Sequence, residues 1–349
     1  MRRIGYVLGT RPEVIRSARL LHLMAADTEI ETTVINTGQH YDDNMLGSFL
    51  RELDVPHISV DLEVGSQDPV DQTAAVLRGV GNVLRDEPVD CLCVFGDTNS
   101  TLGAALAAVK LRTPLVHIEA GCRSYDMAMP EEVNRRLVDH ISDLLLPVSE
   151  LAAQTLRDER VPGHLTIVGD PQFDVFSQQP HPDIRHEDRR FGLITLHRPE
   201  NADDPSRLTQ ILEQIAGARV EPAIEWVFPV HPRTAASLAS VPDSIRVSGP
   251  LGYTDLLKLL FSSRVCVTDS GGLQKEAFWA RVPCVTVRRT TEWMETVDAG
   301  ANELAQPDEN LATAVVTAST RELPITYANP YGDGDASSRI VSVLKEWQP

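Results

Sequence analysis

Short β-branched or apolar runs alternate with helix-length amphipathic segments along the whole chain, and the scheme occurs twice. In the first half the strand-like runs are Ile4–Gly9, Thr32–Asn36, Cys91–Phe95, Leu115–Glu119, Leu144–Val148 and Thr166–Val168. Helical patterns lie between them, over Glu13–Ala26, Val70–Arg85, Ser100–Lys110 and Glu131–Asp143. The second half has strand-like Gly192–Thr195, Glu225–Val230, Ile245–Val247, Val265–Thr268 and Cys284–Val287, with helices near Pro205–Ala218, Thr254–Ser262 and Leu273–Ala280. Such alternation predicts an α/β fold with parallel sheets covered by helices on both faces. A chain of 349 residues holds about two domains of this kind. The polar stretch Gln178–Arg190, with two prolines and no period, marks their boundary. We divide the chain into 1–175 and 176–333, with one more amphipathic helix over Ala336–Trp347.

The net charge of −18 disfavours nucleic acid and anionic membrane as partners. It also repels an anionic substrate at long range, so a nucleotide site must rely on local donors. The charged, strand-like start lacks the apolar core of a signal peptide, and no run approaches the roughly 18 apolar residues of a membrane span. The five cysteines, Cys91, Cys93, Cys122, Cys266 and Cys284, are odd in number and scattered. That usage points to a reducing, cytoplasmic setting rather than a disulfide framework. Cys91 and Cys93 lie within an apolar run and read as core residues, not metal ligands.

Doubly wound domains bind ligands at the carboxyl ends of their strands. Those positions are rich in polar chemistry here: GTRP with Arg11 and then Arg16, GDTNS with Asp97, and HIEAG with His117 and Glu119. In the second half come LHRPEN with His197, PVHPR with His231 and Arg233, and TDSGG with Asp269, Ser270, Gly271 and Gly272. Glycines and free N–H groups at a helix start suit a phosphate, and Glu276 further along that helix suits ribose hydroxyls. A plain strand–turn–helix with a serine cap is the alternative.

Asp97, Glu119 and Glu131 form a carboxylate constellation. Asp97 could instead cap the next helix, and Glu131 could favour the helix dipole or pair with Arg135. Glu119 ends what should be a buried strand, where an acid needs a partner or a task.

The motifs GTRPE, GQH, GDTNST, HIEAGCRS, MPEEVNR, TLHRPEN, PVHPR, TDSGGLQKEA, TEWMETV and NPYGDGDASSRI stand in the order found in non-hydrolysing UDP-N-acetylglucosamine 2-epimerases. The chain resembles that family over essentially its whole length. The resemblance implies two Rossmann-like domains facing across a cleft (a GT-B-like fold), with a final helix, 334–349, crossing back to the first domain. It also implies a homodimer and neither metal nor nicotinamide. By motif, Arg11 and Arg16 match residues facing phosphates and sugar. Ser270, Gly271 and Gly272 match the diphosphate cradle, Glu276 the ribose acceptor and His231 a substrate contact. Tyr253 and Arg288 complete the candidate substrate-binding set. Asp97, Glu119, Glu131 and His197 match the residues given acid–base work.

The chain departs from the family at several points. Gln39-His40-Tyr41-Asp42 stands where some bacterial members have the Q-H-R-E stretch of an activator site, which argues against activation by a second substrate molecule. Arg288-Arg289 replaces R-D, and Thr291-Glu292-Trp293 replaces T-E-R. QHYD, MPEEVNR and TEW are nearer to a subgroup that includes epimerases of diacetamido-hexuronic acids, and Arg289 would suit a uronate carboxylate.

The expected reaction inverts C2 of a UDP-N-acetyl-hexosamine, with UDP-N-acetylglucosamine as the default substrate. Early departure of UDP from C1 acidifies the C2–H; a carboxylate takes the proton, and a second acid returns one to the opposite face. Donors around the diphosphate should outweigh any single base. The rivals are a GT-B glycosyltransferase, a hydrolysing epimerase releasing N-acetylmannosamine, and a UDP-sugar-binding regulator without turnover.

Overall fold

The structure, a computed structural model, describes residues 1–38, 55, 58–182, 184–230, 232–324 and 328–349. The chain divides into two units. Unit 1 is Met1–Gln178 with Asn329–Pro349, and unit 2 is Gln179–Ala328.

Unit 1 holds strands β1 (Arg2–Leu8), β2 (Ile30–Asn36), β3 (Val60–Asp61), β4 (Cys91–Phe95), β5 (Leu115–Ile118), β6 (Leu144–Leu146) and β7 (His164–Leu165). They form one seven-stranded sheet in the order β3-β2-β1-β4-β5-β6-β7, every pairing parallel. Successive side chains of a strand point to opposite faces, so a sheet covered on both sides needs apolar residues throughout. On one face Ile4, Tyr6 and Leu8 pack with Val14, Leu20, Leu21 and Met24 of the helix Arg11–Ala26. On the other face Val7, Leu92 and Val94 meet Val76, Val80 and Leu84 of the helix Pro69–Asp86 and Ala104 and Ala108 of the helix Asn99–Leu111.

The C-terminal helix Ala336–Glu346 belongs to this unit because Ile340, Val341 and Leu344 join the first of these cores. Its start is tied down by Asp174, whose carboxylate accepts from the backbone N–H of Ala336 (3.0 Å) and Ser337 (2.6 Å). Asp170 N–H also donates to the Tyr331 carbonyl at 2.8 Å. The chain therefore rejoins unit 1 at Asn329, ahead of the helix itself. The helix Pro171–Ser177, which carries Asp174, lies wholly within unit 1 and spans position 175.

Unit 2 holds β8 (Phe191–Thr195), β9 (Glu225–Pro229), β10 (Ile245–Ser248), β11 (Ser263–Thr268), β12 (Cys284–Thr286) and β13 (Asn302–Leu304). Their order is β10-β9-β8-β11-β12-β13, again all parallel. The helix Pro205–Gly217 buries Leu208, Ile211, Leu212 and Ile215, one stripe at helical spacing, against this sheet. Gly192 lets the Trp226 ring lie on β8: a Cβ there would stand 2.3 Å from ring carbons.

Several expectations need correction. The run Thr166–Val168 is not a strand; β7 ends at Leu165, although Thr166 and Val168 still donate to the carbonyls of Leu145 and Pro147. β3 and β13 were not anticipated. Each is two or three residues long and carries polar residues, so neither leaves an alternating pattern. The helices Glu150–Asp158 and Leu311–Thr320 were also missed. The second, LATAVVTAST, is rich in β-branched residues and helical through packing of Leu311, Ala314, Val315 and Ala318.

Candidate active site

In each sheet the strand order reverses beside the unit's first strand. β1 lies between β2 and β4, and β8 lies between β9 and β11. Connections leaving such a pair part to opposite faces and open a crevice at the carboxyl ends. In unit 1 the loops there are GTRP after β1 and GDTNS after β4. In unit 2 they are LHRPEN after β8 and TDSGG after β11.

The two loops of unit 1 are locked together. Gly9 lies so close to Ser100 that a Cβ would stand 2.3 Å from Ser100 Oγ, and that hydroxyl bonds Thr37 Oγ1 at 2.7 Å. Glu13 closes the GTRP turn: its Oε2 accepts from the N–H of Gly9 (2.6 Å) and Thr10 (3.1 Å). Burial pushes the Glu13 carboxyl up to about 7 despite the Thr98, Gly9 and Thr10 donors and nearby Arg16, which lower it.

The acids of unit 1 are held by arginines. Glu119 follows β5 with a left-handed backbone (φ 69°), and its buried carboxylate accepts from Arg16 Nη1 at 2.9 Å. Burial opposes the Arg16 charge, but Glu119, Asp170, Asp97 and Glu13 together raise the guanidinium above its ordinary value. Asp97 follows β4, stays partly open to solvent, and pairs with Arg135 Nη2. Glu131 lies half-buried in the first turn of the helix Pro130–Ile141. That helix is tied to the Asp97 loop by Asn134 Nδ2, which donates to the Asp97 carbonyl at 2.9 Å.

The same helix organises the HIEAGCRS segment through residues that the sequence reading did not single out. Glu132, fully buried, accepts from Arg135 Nη1 (2.9 Å), from Arg136 Nε (2.9 Å) and from the Ser124 N–H (2.8 Å). Asp139, also fully buried, meets His117 Nδ1 at 2.7 Å and Arg123 Nη1 at 2.6 Å. Burial pushes Asp139 up, but His117 and Arg123 outweigh it and hold the carboxyl below the usual range. His117 Nε2 lies 2.8 Å from the Gly96 carbonyl, so the ring bridges the Asp97 loop and the helix. The spacing of 132, 135 and 139 puts the three on one helix face, but only the structure shows that face to be buried.

In unit 2, Asp269 is the hub. It is fully buried and accepts from the N–H of His197 (3.1 Å) and Arg198 (3.1 Å) and from Asn201 Nδ2 (3.1 Å). It also lies 3.2 Å from His197 Nδ1, which orients a ring that is 52% exposed. Burial raises Asp269, but His197, Asn201 and the Arg198 N–H hold it below the ordinary carboxylate range. Ser270 caps the helix Gly271–Trp279, its Oγ accepting from Leu273 N–H at 3.4 Å. Glu276 is buried on that helix, and Tyr253 is buried at the start of the helix Tyr253–Phe261. Arg288, just past β12, is buried and pairs with Glu292 at 2.8 Å.

The structure thus brings Arg16, Glu119 and Asp97 together in unit 1, with Glu131 on the adjoining helix. In unit 2 it brings His197 to the TDSGG turn, and Arg288 to that turn through Glu292. Arg11 begins its helix, but its side chain, like His231 and the stretch Gln39-His40-Tyr41-Asp42, lies outside the described residues. Arg289 is exposed and faces Glu309 at 3.4 Å. Among the described residues no group of three or more His, Cys, Asp or Glu side chains could hold a metal ion, and no helix is long and apolar enough to cross a membrane.

Comparison with known proteins gives a consistent result. The family profile described as UDP-N-acetylglucosamine 2-epimerase matches residues 22–345. A UDP-2,3-diacetamido-2,3-dideoxy-D-glucuronate 2-epimerase of Pseudomonas aeruginosa is 37% identical, covering 97% of this chain and 98% of its own. A UDP-N-acetylglucosamine 2-epimerase of Methanocaldococcus jannaschii is 36% identical, covering 98% of each. The crystal structure of the Methanocaldococcus jannaschii UDP-GlcNAc 2-epimerase in complex with UDP-GlcNAc and UDP superposes with a TM-score of 0.90 at 35% identity, covering 98% of this chain and 99% of that one. With a family match over nearly its whole length, full-length relatives above 30% identity and the same α/β architecture of two parallel sheets, the chain belongs to the UDP-N-acetylglucosamine 2-epimerase family.

Proposed function

We propose that this chain inverts C2 of a UDP-N-acetyl-hexosamine, by default converting UDP-N-acetylglucosamine to UDP-N-acetylmannosamine. The observation that carries the reading is the set of strand-end acids in unit 1, Glu119 and Asp97, each held by an arginine within a chain of this family. The C2–H of a sugar is not adjacent to a carbonyl, so its direct removal is costly. The C1–O bond to UDP breaks first or in concert, and the charge developing at C1 acidifies C2–H. One carboxylate among Asp97, Glu119 and Glu131 takes the proton, leaving a glycal and UDP. A second acid protonates C2 on the opposite face, and UDP re-forms the C1–O bond. Base catalysis supplies about 10² to 10⁴ in rate and each well-placed anion donor about 10² to 10³.

In this reading the Ser270–Gly272 turn and Arg288 receive the diphosphate, and Glu276 accepts from the ribose hydroxyls. Asp269 aims His197 at phosphate or sugar. His231 and Tyr253 remain substrate contacts of the proposal. The five cysteines are buried and free, which fits the cytoplasm as the site of action. A homodimer belongs to the same proposal; exposed Tyr125, Met127 and Leu137 supply apolar surface on unit 1.

Proton NMR with UDP-N-acetylglucosamine in deuterated buffer tests the reading. The expected result is a manno product carrying deuterium at C2. Free N-acetylmannosamine plus UDP would replace it with the hydrolysing reaction. The likeness to the Pseudomonas aeruginosa relative favours a second substrate, a UDP-diacetamido-hexuronate, and the same experiment with that sugar separates the two.

A further inference from the structure

Glu292 occupies a place that the proposed reaction does not explain. The helix Gly271–Trp279 starts with two glycines, at the positive end of its dipole. A Cβ on Gly271 would stand 2.6 Å from Glu292 Oε1 and 3.2 Å from Trp293 Nε1. The side chain packed against the first glycine is therefore this chain's own carboxylate. Its other oxygen pairs with Arg288 Nη2 at 2.8 Å, and both side chains are almost fully buried, 7% and 2% exposed.

The backbone that carries Glu292 is fastened to the same helix. Thr291 Oγ1 donates to Gln274 Oε1 at 2.7 Å, and Trp293 N–H donates to Thr291 Oγ1 at 3.2 Å. Lys275 Nζ lies 3.8 Å from the centroid of the Trp293 ring, a cation–π contact on the same turn. Thr291 and Trp293, on either side of Glu292, are thus held against this helix.

We propose that Glu292 is the resident counter-ion of the glycine turn and competes with the substrate diphosphate for it. When the diphosphate enters, the Glu292 carboxylate swings away from Gly271, and Arg288 passes from Glu292 to a phosphate oxygen. Two anions cannot share one helix terminus and one guanidinium without repulsion, so Glu292 sets the affinity for the nucleotide end. The exchange leaves the Arg288 charge compensated both before and after binding. It rests on the diphosphate reading of the Ser270–Gly272 turn.

Calorimetric titration of the full chain with UDP and with uridine tests this. Glu292→Gln and Glu292→Ala should each lower the Kd for UDP about tenfold, as loss of one nearby like charge requires, with the uridine Kd unchanged. Glu309→Gln, which removes an exposed acid, controls for net charge and should change neither. UDP binding that is equal or weaker in both Glu292 variants, with wild type binding normally, overturns the competition. Wild type that fails to bind UDP overturns the nucleotide reading as well. A second measurement needs no acid variant: the Trp293 indole N–H resonance, assigned with Trp293→Phe, should shift with UDP but not with uridine. A resonance indifferent to UDP also overturns the proposal.

Discussion

Arg16 Nη1 donates to Glu119 Oε1 at 2.9 Å, and Glu119 presents that oxygen from a left-handed backbone at φ 69°. A non-glycine residue held in this region costs about 1–3 kcal/mol. The left-handed backbone sets the direction of the side chain, and the Arg16 guanidinium holds its carboxylate in place. Glu119→Gln should therefore lower kcat by about 10² to 10⁴ with a smaller change in KM, measured by product formation from UDP-N-acetylglucosamine. A loss confined to KM would remove Glu119 from the proton-transfer step.

Glu13 gives a pH signature to unit 1. Its folded carboxyl titrates at about 7 against an ordinary 4.5, so between these values the folded state binds more protons than the unfolded one. Stability from this group is then greatest below pH 4.5 and declines as pH rises through 7. The decline amounts to roughly 3 kcal/mol at most. Glu13→Gln should flatten the stability of unit 1 between these pH values, read from urea unfolding at several pH settings. A slope equal to that of wild type would show that Glu13 ionises normally.

Asp269 behaves in the opposite sense. His197, Asn201 and the Arg198 N–H hold its folded carboxyl below the ordinary 3.8, so its contribution is present at neutral pH and is lost as pH falls through the lower folded value. Asp269→Asn should cost about 1–3 kcal/mol at pH 7, since it weakens charge-assisted bonds to buried donors. The penalty should shrink in acid below that range. Turnover should fall as well, because the His197 ring loses the charged acceptor at 3.2 Å that orients it. An unchanged pH dependence of unfolding would show that Asp269 is not the buried anion described.

The fold was legible wherever burial on both sheet faces forced a run of apolar residues. β4 was read to the residue, and β1 and β11 to within two residues of either end. β3 and β13 left no run because edge strands of two or three residues need none. The site was legible by another route: polar residues just after strands, such as Glu119 and Asp269, stand out against apolar runs. The buried charges of the helix Pro130–Ile141 were less legible. Arg135 and Asp139 sit on a helix where a charged side chain reads as surface, and only the contacts with Asp97 and His117 reveal them as buried. Adjacent acids were also ambiguous. Glu131 drew attention by motif, whereas Glu132 carries the buried bonds to Arg135 and Arg136.

Arg289 separates a sequence expectation from its structural setting. As a cation replacing an acid near the nucleotide end, it suggested a reader of a uronate carboxylate. In the structure its side chain is 67% exposed and faces Glu309 at 3.4 Å. An exposed pair of this kind contributes about 0–1 kcal/mol, and a reader must hold its ligand away from water to do more. Arg288 one residue earlier is buried and paired with Glu292 beside the glycine turn, so the two neighbouring arginines stand in different settings. Arg289→Asp should then change kcat/KM by less than about threefold for both UDP-N-acetylglucosamine and a UDP-diacetamido-hexuronate, the range expected of a surface charge. A selective loss on the uronate of about tenfold or more would return Arg289 to the substrate and require Glu309 to release it.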